Sequence, residues 1–253
     1  MAFLTRFPTV NLTKALEQNK TLISQRSVYF YPLVGALVGT LVFAVYYFCI
    51  GPIFFEDVLP HKSYVVAALM LTVWCLITGG LHLDGLADAA DAWVGGFGDR
   101  QRTLDIMKDP SIGPTGLMLV LLVLLLKYSA LIVLINQGSA AFVLAVLLCI
   151  PMLARLNILP LFYFTQYVRD KGLGSDFKRS VSFRVLAILI ALCFIISLLL
   201  LPYNKILALW IVMGLVFIWA RRMMINRIGG TTGDTAGALI EVQETLLLVV
   251  IVL

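Results

Sequence analysis

A chain of 253 residues that is 61% hydrophobic and only 13% charged, with a mean hydropathy of +0.99, is not a soluble domain, for which roughly 45–50% apolar and about 25% charged residues are usual. It reads as an all-α polytopic membrane protein. The net charge of +5 is carried by segments beside apolar runs, where Lys and Arg mark cytoplasmic loops, so nucleic acid is excluded as a partner.

Residues 1–27 are mixed and basic, with Arg6, Lys14, Lys20 and Arg26 against Glu17. They lack a continuous apolar core, so no cleavable signal peptide is visible. Apolar runs near the roughly 20 residues of a spanning helix then predict spans at about 28–50, 63–80, 116–136, 139–164, 183–201, 206–224 and 236–253, within a single integral membrane domain covering 1–253. Gly35 and Gly39 form a GxxxG in the first span, a pattern that suits close helix packing. Cys49, Cys75, Cys149 and Cys193 each lie inside an apolar run and read as small buried hydrophobes rather than zinc ligands or disulfide partners.

The basic residues test this topology. Fifteen of the 19 fall before span 1 or in and at the edges of the segments between spans 2 and 3, 4 and 5, and 6 and 7. The opposite side has only Lys62 and Lys205, and Lys127 and Arg155 fall within spans. The amino terminus and the basic segments are therefore expected in the cytoplasm, and the carboxyl terminus outside.

The polar features gather on that basic side. Residues 79–116 hold Asp84, Asp88, Asp91, Asp99, Asp105 and Asp109. At about 100° per residue, Asp84, Asp88 and Asp91 fall at about 0°, 40° and −20° on one helix face. Like charges on one stripe repel, and a divalent cation is the simplest offset. Mg²⁺ binds through one or two carboxylates together with substrate phosphates, so a phosphate-bearing substrate is implied.

A second polar stretch is GGTTGDTAGALIEVQE, 229–244. Its glycines, Gly230 and Gly233 among them, admit close backbone approach. Thr232 or Asp234 caps the last helix, whose amino end favours anions. Asp234 and Glu241, seven apart, share a face of that helix, with Glu244 about 80° round, a second acidic edge for the same site. In KDPSIGPTG, 108–116, prolines and glycines present Lys108, Ser111 and backbone N–H groups as a phosphate cradle or as a plain loop. Lys127, deep in span 3, needs a partner or a cavity, whereas Arg155 lies nearer its span end. Arg169, Gly172 and Gly174 lie in a basic loop that suits either topology or phosphate contact. His82, at a span end, reads first as an interface hydrogen-bonder.

Taken together, FLTRFP (3–8), GGLHLDGLADAADAW (79–93), MKDPSIGPTG (107–116), Lys127, Arg155, RDKGLG (169–174) and GGTTGDTAGALIEVQE (229–244) run in the order of one known family. The chain resembles cobalamin synthase, the adenosylcobinamide-GDP ribazoletransferase of bacterial vitamin B12 assembly. It departs from that family's pattern at Thr231, where Gln is usual. The resemblance implies a Mg²⁺-dependent phosphoryl transfer at the cytoplasmic face of the bacterial inner membrane. The alcohol of α-ribazole, or of its 5′-phosphate, attacks the phosphate on the cobinamide arm of adenosylcobinamide-GDP, and GMP leaves. It implies Asp84, Asp88 and Asp91 with Asp234 as metal ligands, and Lys108, Lys127 or Arg155 as charge stabilisers. His82, Ser111, Arg169, Gly172, Gly174, Gly230, Thr232, Gly233 and Glu241 would then line the substrate. Membrane lipid is a further partner, and a homo-oligomer is compatible with this reading. A CDP-alcohol phosphotransferase is the nearest alternative, but Asp84-Gly85-Leu86-Ala87 runs into Asp88 and no Arg follows. A transporter should place polar groups near midplane.

Overall fold

The computed structural model describes residues 27–50, 62–169 and 181–253. Among them the chain is helical without strands, apart from one parallel bridge between Tyr167 and Thr231. A short 3-10 turn, Val28–Phe30, leads into α1 (Tyr31–Ile50), followed by α2 (Lys62–Thr78), α3 (Leu81–Gly95) and α4 (Arg100–Ile106). Then come α5 (Pro114–Gln137), α6 (Ala140–Leu156), α7 (Ile158–Phe164), α8 (Phe183–Leu200), α9 (Tyr203–Ile228) and α10 (Gly233–Val252).

Among the described residues six stretches are long and apolar enough to cross a membrane: α1 with its leading turn, α5, α6 with α7, α8, α9 and α10. The α2–α3 pair makes a seventh when counted as one span, bent by 83°. That bend has a local cause. Gly79 and Gly80 adopt φ of +64° and +70°, a left-handed conformation that Gly takes without steric cost. The apolar crossing stretch therefore ends with α2, and the acidic α3 leaves it at a steep angle. The expected break between spans 6 and 7 also moves. Helix α9 continues to Ile228 through Arg221 and Arg227, because Arg221 donates to Phe164 O (2.8 Å) and Thr165 Oγ1 (3.0 Å) and Arg227 to Trp93 O (3.1 Å). Gly229, at φ +75°, then stops it, its N–H closing on Ile225 O.

Helix α6 lies at the centre and α1 packs directly upon it. A Cβ on Gly35 would come 2.8 Å from Met152 Cα, and one on Gly39 would come 3.1 Å from Leu148 N, so the GxxxG serves backbone contact. The main apolar core joins α1, α2, α5, α6 and α10 through residues such as Val38, Met70, Leu131, Leu147, Leu153 and Leu248. Helices α8 and α9 add Cys193, Ile206, Leu209 and Met213 to its edge and expose Leu192, Leu199, Leu215 and Trp219 on their other side, as a lipid-facing layer does. Cys149 and Cys193 are buried free thiols, and Cys49 and Cys75 are free and partly buried.

Candidate functional site

The polar segments meet at one end of the bundle, around α3. Two close backbone approaches set its neighbours. On the α10 side, a Cβ on Gly85 would lie 2.6 Å from Asp234 O and 2.8 Å from its Cα, and one on Gly237 would lie 3.2 Å from His82 Cα. The absence of side chains there lets the two helices touch. Asp234 thus stands beside the turn of α3 that carries Asp84 and Asp88.

The amino end of α10 is built for that position. Thr232 caps it: Thr235 N donates to Thr232 Oγ1 (3.2 Å), and Thr232 N donates to Thr235 Oγ1 (2.9 Å), a reciprocal capping box. Thr231 Oγ1 lies 3.0 Å from Thr235 Oγ1. Of the two caps open from the sequence, Thr232 is the one used. Its hydroxyl is committed and fully buried, which takes it away from the substrate contact expected of it. Gly230 packs against Gln166, whose carbonyl accepts from Thr231 N (2.8 Å), while Val168 N donates to Thr231 O (2.9 Å). This short parallel contact delivers Arg169, whose Nη2 lies 2.6 Å from Asp234 Oδ2 and donates to Met107 O at 3.3 Å. Gly172 and Gly174 lie outside the described residues.

On the opposite flank, Asp91 is committed elsewhere. Its Oδ2 accepts from Gly113 N (2.7 Å) and its Oδ1 from Gly116 N (2.8 Å). Gly113 is the N-cap of α5 and has no side chain to cap with. Asp91 supplies the missing acceptor from another helix, and its charge faces the positive end of α5. In the loop before α5, Ser111 N and Oγ donate to Asp109 Oδ1 (2.9 and 2.6 Å), and these bonds hold the Asp109 carboxyl below the usual carboxylate range. Lys108 is exposed and donates to Asp105 Oδ1 (3.0 Å).

The four acids expected as one metal set therefore divide. Among the described residues no three His, Cys, Asp or Glu side chains converge as ligands of one ion. Asp91 holds α5 and Asp234 faces Arg169, which leaves Asp84, exposed, and Asp88, half-buried, one turn apart. That pair still fits a hard divalent cation. Burial, then Asp84 and Asp234, push the Asp88 carboxyl up to about 6, with Asp91 adding to the rise and Arg169 opposing it. An edge of carboxylate oxygens with surplus negative charge is what Mg²⁺ takes through one or two carboxylates plus phosphate oxygens.

Lys127, Arg155, Glu241 and His82 are brought together, but inside the bundle. Lys127 Nζ donates to Glu241 Oε2 (2.5 Å) and Glu244 Oε2 (2.7 Å), and Arg155 Nη1 donates to Glu244 Oε1 (2.6 Å). The ammonium also lies 4.9 Å from the centre of the Trp74 ring. All four charged side chains are 3% exposed or less. The two cations are paired with glutamates instead of facing the acidic edge. His82 is likewise buried, with Nδ1 4.0 Å from Glu241 Oε1, not at the interface. Reading the sequence missed Asp91 as a cap in trans and Glu244 as the hub. A capless Gly-Pro helix start at 113–114 is the one signal for the former.

The family model described as cobalamin-5-phosphate synthase matches residues 1–252. The chain is similar to the adenosylcobinamide-GDP ribazoletransferase of Pseudomonas fluorescens (strain Pf0-1), 46% identical over 88% of this chain and 86% of that one. It is also similar to that of Stutzerimonas stutzeri (strain A1501), 46% identical over 88% and 85%. A third, from Pseudomonas syringae pv. syringae (strain B728a), is 44% identical over 90% and 88%. No solved structure matches.

Proposed function

The chain belongs to the cobalamin-5-phosphate synthase family, and from that premise we propose that it is an adenosylcobinamide-GDP ribazoletransferase. The observation that carries this reading is the family match over nearly the whole length. The site's chemistry supports it, since the acidic edge of Asp84 and Asp88 has Asp234 and Arg169 across from it. The alcohol oxygen of α-ribazole, or of its 5′-phosphate, forms a new bond to the phosphorus on the cobinamide arm. The bond from that phosphorus to GMP breaks, and the alcohol proton passes to a carboxylate of the acidic edge. Phosphoryl transfer asks for positioning and charge neutralisation more than for covalent catalysis.

Asp84 and Asp88 are the residues that would hold Mg²⁺, and the bound ion would neutralise diphosphate charge. Lys108, exposed, sits in the loop that Asp91 ties to α3, and Arg169, partly exposed, pairs with Asp234; both are assigned to the phosphate oxygens. By the positive-inside rule, this end of the bundle, which carries Arg100, Arg102, Lys108, Arg169 and Arg227, faces the cytoplasm across a bacterial inner membrane. Lys62 and Lys205 would be on the other side. Membrane lipid surrounds the apolar helices.

The test is GMP release by the purified chain in liposomes supplied with adenosylcobinamide-GDP, α-ribazole and Mg²⁺. Stoichiometric GMP and cobalamin are expected. Their absence, with CMP formed instead from CDP-diacylglycerol and a lipid alcohol, would turn the assignment to a CDP-alcohol phosphotransferase.

A further inference from the structure

We propose that Glu244, held between Lys127 and Arg155, is a positioning residue that fixes the depth of α10 and so keeps Asp234 beside Asp84 and Asp88. The functional part of this statement rests on the reading of the acidic edge given above.

The contact between α3 and α10 has little to hold its own register. Gly85 meets the Asp234 backbone and Gly237 meets the His82 backbone, while Ala89 and Ala238 lie in the same small apolar cluster. This contact is glycine to backbone, filled in by apolar Leu86, Ala89 and Ala238, and among the described residues no hydrogen bond crosses it to fix the depth of α10. Register must be set elsewhere.

It is set two to three turns further along α10. Glu241 and Glu244 lie about 10 and 15 Å beyond Asp234 at 1.5 Å per residue. Glu244 accepts from Lys127 of α5 at 2.7 Å and from Arg155 of α6 at 2.6 Å, one carboxylate oxygen to each. Lys127 is shared with Glu241 and rests against Trp74 of α2. Two neighbouring helices, α5 and α6, thus grip α10 at one level, with α2 backing the Lys127 ammonium. Two cations face two anions, so the cluster is balanced as it stands, and each buried charge depends on its partner. Arg155 has Glu244 as its only carboxylate among the described residues, and its Nε and Nη2 have no hydrogen-bond partner.

That dependence gives the proposal a directional consequence. Glu244→Gln leaves Arg155 without a carboxylate, and the nearest replacement is Glu241, one turn nearer the acidic edge. Drawing Glu241 toward Arg155 slides α10. In Glu244→Gln with Arg155→Met, the remaining Lys127–Glu241 pair is balanced and holds α10 where it was.

The experiment uses the full chain in lipid nanodiscs, with its four cysteines replaced and spin labels at Val94 on α3 and at Leu253, which caps the carboxyl end of α10, both exposed. In Glu244→Gln the label distance is expected to change by about 3 Å, part of the roughly 4.5 Å that separates Glu241 from Glu244 along the axis. The half-saturating Mg²⁺ concentration is expected to rise about tenfold, as when an outer partner of the metal ligands is displaced. The double variant should return both values to those of the parent. An unchanged distance in Glu244→Gln overturns the proposal. So does an equal change in single and double variants, because charge balance would then not be what holds the helix. The distance is read without metal or substrate, so a parent protein that releases no GMP would refute the functional reading and leave this measurement decisive for the register.

Discussion

Asp91 Oδ1 accepts a hydrogen bond from Gly116 N at 2.8 Å, which makes a residue of one helix the cap of another. The sequence separation is 25 residues, and the bond with its companion to Gly113 N ties the loop 107–116 to the acidic helix. Replacing a capping side chain with Ala typically costs about 1 kcal/mol. Asp91→Ala is therefore expected to lower stability by about 1–2 kcal/mol, measured by thermal unfolding in detergent. Its Mg²⁺ requirement should change far less than that of a variant at Asp84 or Asp88. An equal loss of metal dependence at all three positions would return Asp91 to the metal set.

Asp84→Asn and Asp88→Asn remove charge from the edge without changing side-chain size. Each is expected to slow GMP release by about a hundredfold, the loss typical of one charge-stabilising group, with part of the loss recovered at high Mg²⁺. Release assays across Mg²⁺ concentrations in liposomes read this directly.

The raised Asp88 carboxyl gives a pH dependence. Without metal its folded value is about 6, pushed up mainly by burial and then by Asp84 and Asp234, while an unfolded Asp sits near 3.9. The neutral form is therefore favoured by folding, and this group's stability contribution is present below about pH 4 and lost as pH rises through about 6. Metal binding needs the ionised form. Half-saturating Mg²⁺ should be flat above about pH 6 and rise up to tenfold per unit below it, measured as Mg²⁺ activation curves at several pH values. In Asp88→Asn that pH dependence should disappear.

Gly85 and Gly237 test the crossing of α3 and α10. A Cβ at Gly85 meets the Asp234 backbone at 2.6 Å, whereas one at Gly237 meets His82 Cα at 3.2 Å. Backbone atoms do not swing aside as side chains do, so Gly85→Ala must part the helices. Overpacking of this kind costs about 1–3 kcal/mol. Gly85→Ala is expected to lower both thermal stability and Mg²⁺ affinity, and Gly237→Ala to do so more weakly. Thermal unfolding and Mg²⁺ titration of the two variants compare them.

Arg169 offers a last test. Its guanidinium reaches both Asp234 (2.6 Å) and Met107 O (3.3 Å), a fork that Lys does not reproduce. Arg169→Lys should raise KM for adenosylcobinamide-GDP by about tenfold, roughly one charge-assisted contact, in steady-state GMP-release kinetics.

Apolar content and run length determined by themselves that the chain is a bundle of about seven membrane-length helices, because a spanning segment must be apolar along its whole length wherever it packs. The clustering of basic residues likewise assigned the polar loops to one end, and the helical period placed Asp84 and Asp88 on a common face. These are local or additive properties of a chain, readable without knowing its neighbours. What each polar group binds is not such a property. Asp91 shared the face of Asp84 and Asp88, yet only the approach of α5 turned it into a cap. Lys127 and Arg155 were conspicuous as buried cations, but their partners, Glu241 and Glu244, are 89 to 117 residues away in sequence. Helical spacing relates residues within one segment and is silent on which helix lies alongside. The tertiary structure decided that, through glycines at 85 and 237 that let α3 and α10 touch, and so divided one apparent set of charged residues into an acidic edge open to solvent and a balanced ionic anchor beneath it.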